Sequence, residues 1–246
     1  MIQPHRAYKA VFLDWDNTIG DFSHAAEKAL KQIYEEQHLN RFFPSFETYY
    51  TIYHEYNLYL WDLYGENRIS KEELQLERFC YPLRQMTPQS KEYLLTDNAL
   101  IELARTIGDE FCRLTTEYFT LMPYAAEVIP YLAARYPLTI ISNGFVEVQY
   151  QKIDRSGLRP YFRHIILSEE VGIQKPQPEI YEKALTLNAI QACEAVMIGD
   201  SFSSDIVGAK TAGIDQIWVK SENTPLLPNQ SATWIVKDLS GVKELL

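Results

Sequence analysis

Six short apolar runs, separated by segments with helical patterns, constrain the fold of this chain most strongly. Each run is four or five residues long and is rich in β-branched and other large apolar side chains. Continuous apolar strands that alternate with helices are typical of a parallel sheet covered on both faces. The predicted strands are residues 10–13, 138–141, 164–167, 195–198, 216–219 and 232–236.

Three of the intervening segments repeat apolar residues at helical spacing, which predicts one buried face for each helix. Gly157 is placed to end the second of these helices, and Pro178 suits the first turn of the third. The predicted buried residues are Val128, Ile129 and Leu132 in 124–135, Val146, Tyr150 and Ile153 in 145–156, and Ile180, Ala184 and Leu187 in 178–188.

Residues 21–120 interrupt this alternation, because they contain helical patterns and almost no strand signal. A chain of 246 residues is long for one minimal domain, so one domain with a large insertion is expected. The sequence therefore predicts an α/β core with a Rossmann-like parallel sheet, made of residues 1–20 and 121–246. An all-helical cap, residues 21–120, is inserted into it.

Composition excludes several classes of function. The formal net charge of -10 argues against a nucleic-acid partner. No apolar run approaches the roughly 18 residues that span a bilayer, and the N-terminal segment shows no secretory leader. Cys80, Cys112 and Cys193 lack CxxC spacing, which favours buried thiols over a disulfide framework or a zinc site. We expect a cytoplasmic protein without a membrane partner, acting as a monomer or homodimer.

Polar residues follow the predicted strands at their carboxyl ends, where parallel sheets bind ligands. Together they supply carboxylates for a hard divalent cation, a fixed positive charge, and a hydroxyl beside free backbone amides. Phosphoryl transfer needs little more than such positioning and charge neutralisation. The residues are Asp14, Asp16 and Thr18 after the first strand, Ser142 and Asn143 after the second, Lys175 after the third, and Asp200 and Asp205 after the fourth.

The pattern resembles the haloacid dehalogenase-like (HAD) hydrolase superfamily in four motifs. These are DWDNT at residues 14–18, ISNG at 141–144, Lys175 in KPQP, and GDSFSSD at 199–205, in the family's order. The gap of 128 residues between Asp14 and Ser142 has room for a helical cap. Among capped relatives the chain is similar to the YjjG-type 5'-nucleotidases, through residues 57–74 and 198–214.

The resemblance implies a role for each residue. Asp14 would be the nucleophile that forms an aspartyl-phosphate, and Asp16 the general acid and base. Mg²⁺ would be held by the Asp14 carboxylate, the Asp16 backbone carbonyl and Asp200. The remaining roles are phosphoryl binding by Ser142 and the Asn143 backbone amide, charge balance by Lys175, orientation of Lys175 or of a metal-bound water by Asp205, and fixing of the first turn by Thr18.

The implied activity is Mg²⁺-dependent hydrolysis of a small-molecule phosphate ester, such as a nucleoside 5'-monophosphate. Asp16 favours ester chemistry over carbon–halogen chemistry, because an alkoxide leaving group needs a proton donor. A phosphoglycolate or sugar-phosphate phosphatase remains an alternative, since it would share every core residue. A phosphomutase is a further alternative, and a non-catalytic binding protein would be expected to have lost one of the key residues.

Overall fold

A computed structural model of the chain describes residues 7–86, 94–220 and 226–246. The chain divides into two compact units. The first, called the α/β unit below, combines Met1–Asp21 with Phe119–Leu246. The second, the helical unit, is Phe22–Tyr118. The division expected from the sequence placed these boundaries after residues 20 and 120.

The α/β unit is built on a parallel sheet of six strands within the described residues. The strand order is β3-β2-β1-β4-β5-β6, so β1 lies between β2 and β4. The predicted α/β class with a parallel sheet is confirmed. The strands are β1 (Ala10–Leu13), β2 (Leu138–Ser142), β3 (Phe162–Leu167), β4 (Ala195–Gly199), β5 (Asp215–Val219) and β6 (Trp234–Val236).

Both faces of the sheet are buried at β1, β2 and β4, which explains the continuous apolar runs of these strands. Successive side chains of β1 alternate between two hydrophobic clusters: Val11 and Leu13 belong to one, and Ala10 and Phe12 to the other. Trp15, just beyond the strand, is fully buried in the first cluster and stacks on Phe119 at 6.0 Å between ring centroids. The indole therefore anchors the segment that carries Asp14 and Asp16.

Helices pack on this sheet, and the predicted buried stripe of the third helix needs correction. Val128, Ile129 and Leu132 are fully buried as predicted. Leu187 is 44% exposed, whereas Ile180 and Ala184 are buried, so the stripe of the third helix was wrong at its last position. The helices are α5 (Ala125–Ala133), α6 (Val146–Arg155), α7 (Ser168–Val171), α8 (Pro178–Asn188) and α9 (Gly208–Thr211), with short 3₁₀ turns at Arg159–Tyr161, Ala192–Glu194 and Leu239–Glu244.

The helical unit has its own core. Ser45, Ser70 and Thr96 cap three of its helices through hydrogen bonds from side chain to backbone, and Ser70 forms a capping box with Glu73. Its aromatic side chains pack against each other, for example Phe79 against Tyr53 and Phe111. The helices are α1 (Phe22–Glu36), α2 (Phe46–Gly65), α3 (Lys71–Arg84) and α4 (Asp97–Glu117), with a 3₁₀ turn at Leu39–Arg41.

Three expectations from composition can be compared with the described residues. None of their helices is long and apolar enough to cross a membrane. The cysteines are unpaired, but only Cys80 is buried, because Cys112 is half-buried and Cys193 exposed. The expectation of three buried thiols was therefore wrong. The prediction that no leader is present concerns in part residues 1–6, which lie outside the described residues.

Candidate active site

Three neighbouring strands bring the predicted site residues to one edge of the sheet. Asp14 follows β1, Ser142 ends β2 and Asp200 follows β4, and β1 pairs in parallel with both neighbours. The turn after β1 contains Asn17 with a positive φ of 62°, a conformation that asparagine tolerates. Within that turn the Thr18 hydroxyl donates a hydrogen bond to Asp200 Oδ1 at 3.2 Å. Thr18 thus links the ends of β1 and β4.

Lys175 lies at the centre of the site, between two carboxylates. Its Nζ atom is 2.6 Å from Asp14 Oδ1 and 2.6 Å from Asp205 Oδ1. The lysine is only 2% exposed and Asp205 is fully buried. Lysine is almost never buried unless it is paired, so these two contacts explain its position.

Asn143 fixes the backbone that carries this lysine. Its side-chain amide donates to the Lys175 carbonyl oxygen at 2.9 Å, and the Lys175 N–H donates to Asn143 Oδ1 at 2.9 Å. This reciprocal pair joins the end of β2 to the loop between α7 and α8. The sequence motif indicated only a backbone role for Asn143, so its side-chain function was missed.

Burial and mutual repulsion set the electrostatics of the carboxylates. Burial raises the pKa of Asp14 to about 7; the charge of Lys175 opposes this shift, and Asp205 and Asp16 add to it. Burial, followed by repulsion from Asp14 and Asp205, also raises the pKa of Asp200 well above its usual range. Burial alone would lower the pKa of Lys175, but its two carboxylate partners raise it. The site therefore has fewer positive charges than carboxylates.

The carboxylate geometry fits a divalent cation. Asp14, Asp200 and Asp205 each offer one oxygen, and these oxygens lie within 4.8 Å of one another. Both Asp205 oxygens are already engaged, since Oδ1 accepts from Lys175 and Oδ2 from the Ser201 N–H at 3.0 Å. Oδ2 of Asp14 and Oδ2 of Asp200 accept no hydrogen bond from any described residue. Oxygen ligands of this kind suit Mg²⁺.

Gly199 explains why the fourth motif begins with glycine. A Cβ atom at this position would lie 2.3 Å from Asp205 Oδ2 and 2.5 Å from Asp205 Cβ. Asp205 itself stands in a π-helical turn, Phe202–Val207, that returns its carboxylate towards β4. Only glycine leaves room for Asp205 to reach Lys175.

We expect Gly199→Ala to lower the free energy of unfolding by about 1–3 kcal/mol, the usual cost of overpacking a buried site. Asp205 is held at both oxygens and cannot move aside freely. Urea denaturation of both proteins measures the difference. Gly108→Ala is the matched control, because a Cβ there has a nearest contact of 3.4 Å and alanine favours helices, so little or no destabilisation is expected. Equal stabilities for Gly199→Ala and the wild type would contradict this explanation of the glycine.

Two polar side chains that the sequence patterns did not predict also reach this site. Helix α6 buries Gln149 and Lys152 beside Ile153, whereas Val146 and Tyr150 are half-buried. The predicted buried stripe of this helix was therefore wrong in two of its three residues. Periodicity of apolar residues could not reveal a face whose buried members are polar.

Gln149 and Lys152 both contact Asp16. Lys152 Nζ is 2.5 Å from Asp16 Oδ1, and Gln149 Nε2 donates to Asp16 Oδ2 at 3.1 Å and to Ser142 Oγ at 2.8 Å. Gly144 permits this approach, because a Cβ there would come within 2.6 Å of the Gln149 amide. The Ser142 hydroxyl also accepts from the Gly144 N–H at 3.0 Å. Because this oxygen accepts two hydrogen bonds, the hydroxyl keeps its own hydrogen for donation.

Taken together, the parallel α/β sheet places a lysine paired with two carboxylates, and a third carboxylate near them, at the carboxyl ends of its strands. The family model described as haloacid dehalogenase-like hydrolase matches residues 8–213. The chain belongs to this family of hydrolases.

Known relatives and structures agree with that assignment. The HAD-hydrolase YfnB of Bacillus subtilis, in a crystal structure bound to magnesium, superposes with a TM-score of 0.79 at 28% identity, covering 97% of this chain and 98% of that one. Pyrimidine 5'-nucleotidase YjjG of Escherichia coli is 25% identical over 96% of both chains. A glyceraldehyde 3-phosphate phosphatase of Pyrococcus abyssi is 32% identical over 86% of this chain and 81% of its own. The predicted enzyme class, an HAD-type phosphatase related to the YjjG-type nucleotidases, is confirmed.

Proposed function

We propose that this protein is a Mg²⁺-dependent phosphomonoester hydrolase that acts through an aspartyl-phosphate at Asp14. The observation that carries the proposal is the position of Lys175 Nζ, 2.6 Å from both Asp14 and Asp205, beside the carboxylate of Asp200. A phosphoryl group bound there meets a nucleophile, a fixed cation and ligands for a second cation. Asp14 and Asp200 would hold Mg²⁺, and the predicted third ligand is the Asp16 carbonyl oxygen. When bound, Mg²⁺ would neutralise charge on the phosphoryl oxygens.

The side chains then divide the reaction between them. A carboxylate oxygen of Asp14 forms a bond to phosphorus while the bond from phosphorus to the ester oxygen breaks. Asp16 gives its proton to the departing oxygen. It later takes a proton from the water whose oxygen bonds to phosphorus while the bond between phosphorus and the Asp14 oxygen breaks. The Ser142 hydroxyl donates to a phosphoryl oxygen, and Lys175 balances the charge.

We expect the affinity for Mg²⁺ to rise with pH at least up to about 7. Below the Asp14 pKa of about 7 a proton occupies this carboxyl group and competes with the cation, and the raised pKa of Asp200 acts in the same direction. Loss of at least one proton on binding predicts an affinity weaker by at least roughly 10-fold per pH unit between about pH 5 and pH 7. Calorimetric titration of the protein with MgCl₂ across this range measures the dependence.

Asp109→Asn serves as the control in that titration, because Asp109 is an exposed residue of the helical unit. This variant should reproduce the wild-type curve. An affinity for Mg²⁺ that does not change between about pH 5 and pH 7 would contradict the assignment of these carboxylates to the cation.

For the substrate we propose a nucleoside 5'-monophosphate, on the similarity to the pyrimidine 5'-nucleotidase YjjG over nearly the whole chain. A sugar phosphate is the second candidate, because the glyceraldehyde 3-phosphate phosphatase of P. abyssi has a higher identity over a shorter stretch. The chemistry at Asp14 is the same for both, so the leaving group decides between them. Cytoplasmic location, and a monomeric or homodimeric state, stay predictions.

A panel of phosphate esters tests this assignment. Phosphate release with Mg²⁺ is measured for pyrimidine and purine nucleoside monophosphates, glyceraldehyde 3-phosphate, phosphoglycolate and phosphoserine. We expect the largest kcat/KM for a pyrimidine nucleoside 5'-monophosphate. A larger value for glyceraldehyde 3-phosphate would support the second candidate instead. If no ester is hydrolysed with Mg²⁺, the proposed function is wrong.

The phosphomutase alternative is tested in ¹⁸O-labelled water. A hydrolase transfers the phosphoryl group to water, so the released phosphate acquires the label. A phosphomutase returns the group to its sugar, and isomerised sugar phosphate would accumulate without labelled phosphate.

A further inference from the structure

We propose that Lys152 and Gln149 are positioning residues for Asp16, and that together they hold its carboxylate in the place from which it exchanges protons with the substrate. This inference rests on the proposed function, in which Asp16 is the general acid and base. Neither side chain belongs to the four motifs, and both come from one face of α6.

Lys152 is a buried lysine on a helix that also has a solvent-facing side. Its side chain is 4% exposed, although α6 also has a solvent-facing side on which Gln151 and Arg155 lie exposed. Burying an ammonium group is costly unless it is paired and hydrogen-bonded. The short contact with Asp16, whose side chain is 25% exposed, supplies a charged partner. In this pair Asp16 compensates the buried charge of Lys152, and Lys152 in turn fixes the orientation of the Asp16 carboxylate.

Helix α6 engages both oxygens of the Asp16 carboxylate. Lys152 contacts Oδ1 and Gln149 contacts Oδ2, and the two residues stand one helical turn apart on the same face. Two donors, one at each oxygen, fix the rotation of the carboxylate plane as well as its position. A single ion pair would leave that rotation free.

Gln149 also links Asp16 to the hydroxyl proposed to bind the phosphoryl group. The Gln149 amide group has two hydrogens, and it gives one to Asp16 and one to Ser142. The proposed acid and base is thereby held at a set distance from the hydroxyl that would bind the transferring group. Displacing a catalytic group by about 1 Å can cost on the order of 100-fold in rate.

The test compares two substrates that differ in their need for a proton donor. The p-nitrophenolate leaving group of p-nitrophenyl phosphate departs without protonation. The alkoxide leaving group of an alkyl phosphate needs a proton. For Asp16→Asn we expect kcat/KM, which reports the steps up to departure of the leaving group, to fall about 10²- to 10⁴-fold on the best alkyl ester of the panel, and much less on p-nitrophenyl phosphate. For Lys152→Met we expect the same selectivity with a smaller loss, about 10- to 100-fold on the alkyl ester, and little change in KM.

Gln149→Leu removes both contacts of the glutamine, to Asp16 and to Ser142. Because Gln149 also holds Ser142, we expect this variant to raise KM as well as to lower kcat. The double variant Asp16→Asn/Lys152→Met should be no slower than Asp16→Asn alone, since Lys152 acts through Asp16. A merely structural lysine would instead give losses that multiply.

Lys183→Met and Gln151→Met are the matched controls, because both residues are exposed on their helices. Both should keep wild-type kinetics. Circular dichroism and thermal melts show whether each variant folds, and Lys152→Gln replaces Lys152→Met if the latter does not. For Lys152→Gln we expect the same selectivity between the two substrates as for Asp16→Asn, with a smaller loss of rate than for Asp16→Asn.

The outcomes separate this inference from the proposed function. If Asp16→Asn loses activity selectively on the alkyl ester but the folded Lys152 variant loses equally on both substrates, or behaves like Lys183→Met, the inference is wrong and the proposed function stands. If Asp16→Asn itself hydrolyses both substrates at the wild-type rate, the role proposed for Asp16 fails, and the inference fails with it.

Discussion

Asp14→Asn is expected to lower Mg²⁺-dependent phosphate release by about 10⁴-fold or more, a loss of the size seen when a catalytic nucleophile is removed. The amide is nearly the same shape as the carboxyl group, but it cannot form the aspartyl-phosphate. We expect the variant to fold normally. The buried Asp14 carboxyl group, with its pKa raised to about 7 beside Asp205 and Asp16, is not optimised for stability.

Steady-state kinetics on p-nitrophenyl phosphate and a thermal melt of the metal-free protein together check this prediction. The expected combination is lost turnover with a melting temperature that is unchanged or higher. Asp109→Asn, at an exposed position, should retain both activity and stability. A variant that keeps most of the wild-type rate would show that Asp14 is not the nucleophile.

Lys175→Met is expected to remove both activity and stability. Lys175 is almost fully buried between Asp14 and Asp205, so methionine would leave two buried carboxylates without their shared cation. Removing one partner of a buried ion pair typically costs about 3–5 kcal/mol. We therefore expect a loss of that size in the free energy of unfolding, in contrast to the nearly neutral Asp14→Asn.

Urea denaturation at about pH 8, where Asp14 is ionised because its pKa is about 7, measures this loss. The exposed Lys183→Met is the control and should cost little. Adding Asp14→Asn to Lys175→Met should recover part of the stability, because it removes one of the uncompensated charges. Equal stabilities of Lys175→Met and wild type would contradict the central position that the structure gives this lysine.

The sheet could be predicted because burial of its strands on both faces requires runs of consecutive apolar residues, and such runs are visible in the sequence. A strand buried on both faces must be apolar throughout, and all six apolar runs coincide with strands. The agreement is weakest at β6, an edge strand of three residues, where the predicted run began at residue 232 and the strand begins at Trp234. Ile235 is 45% exposed there, so burial no longer sets the pattern.

The helices show where patterning fails. Apolar periodicity assumes that a buried face is apolar, and α6 violates this because Gln149 and Lys152 find partners in Asp16 and Ser142. In α8 the pattern correctly marks Ile180 and Ala184, but it extends to Leu187, near the end of the helix, where the side chain is exposed. Buried polar groups are decided by tertiary partners, which a single segment does not contain.

The candidate site could be predicted as a set of residues but not as a set of contacts. Motifs at the carboxyl ends of strands converge because a parallel sheet brings those ends together. The hydrogen bonds between Asn143 and Lys175, and the narrow gap that requires Gly199, depend on how loops return to the sheet. The paths of these loops are set by tertiary packing, which cannot be inferred from the spacing of the motifs along the sequence.

The most direct test of the central claim is to trap the covalent intermediate. The wild-type protein is mixed with Mg²⁺ and its best ester, quenched in acid within the first turnover, reduced with borohydride and analysed by peptide mass spectrometry. An aspartyl-phosphate is reduced to homoserine, so we predict homoserine at position 14, and none when substrate is omitted. If phosphate is released in that turnover while Asp14 remains unmodified and another residue is converted, the proposed covalent role of Asp14 is contradicted.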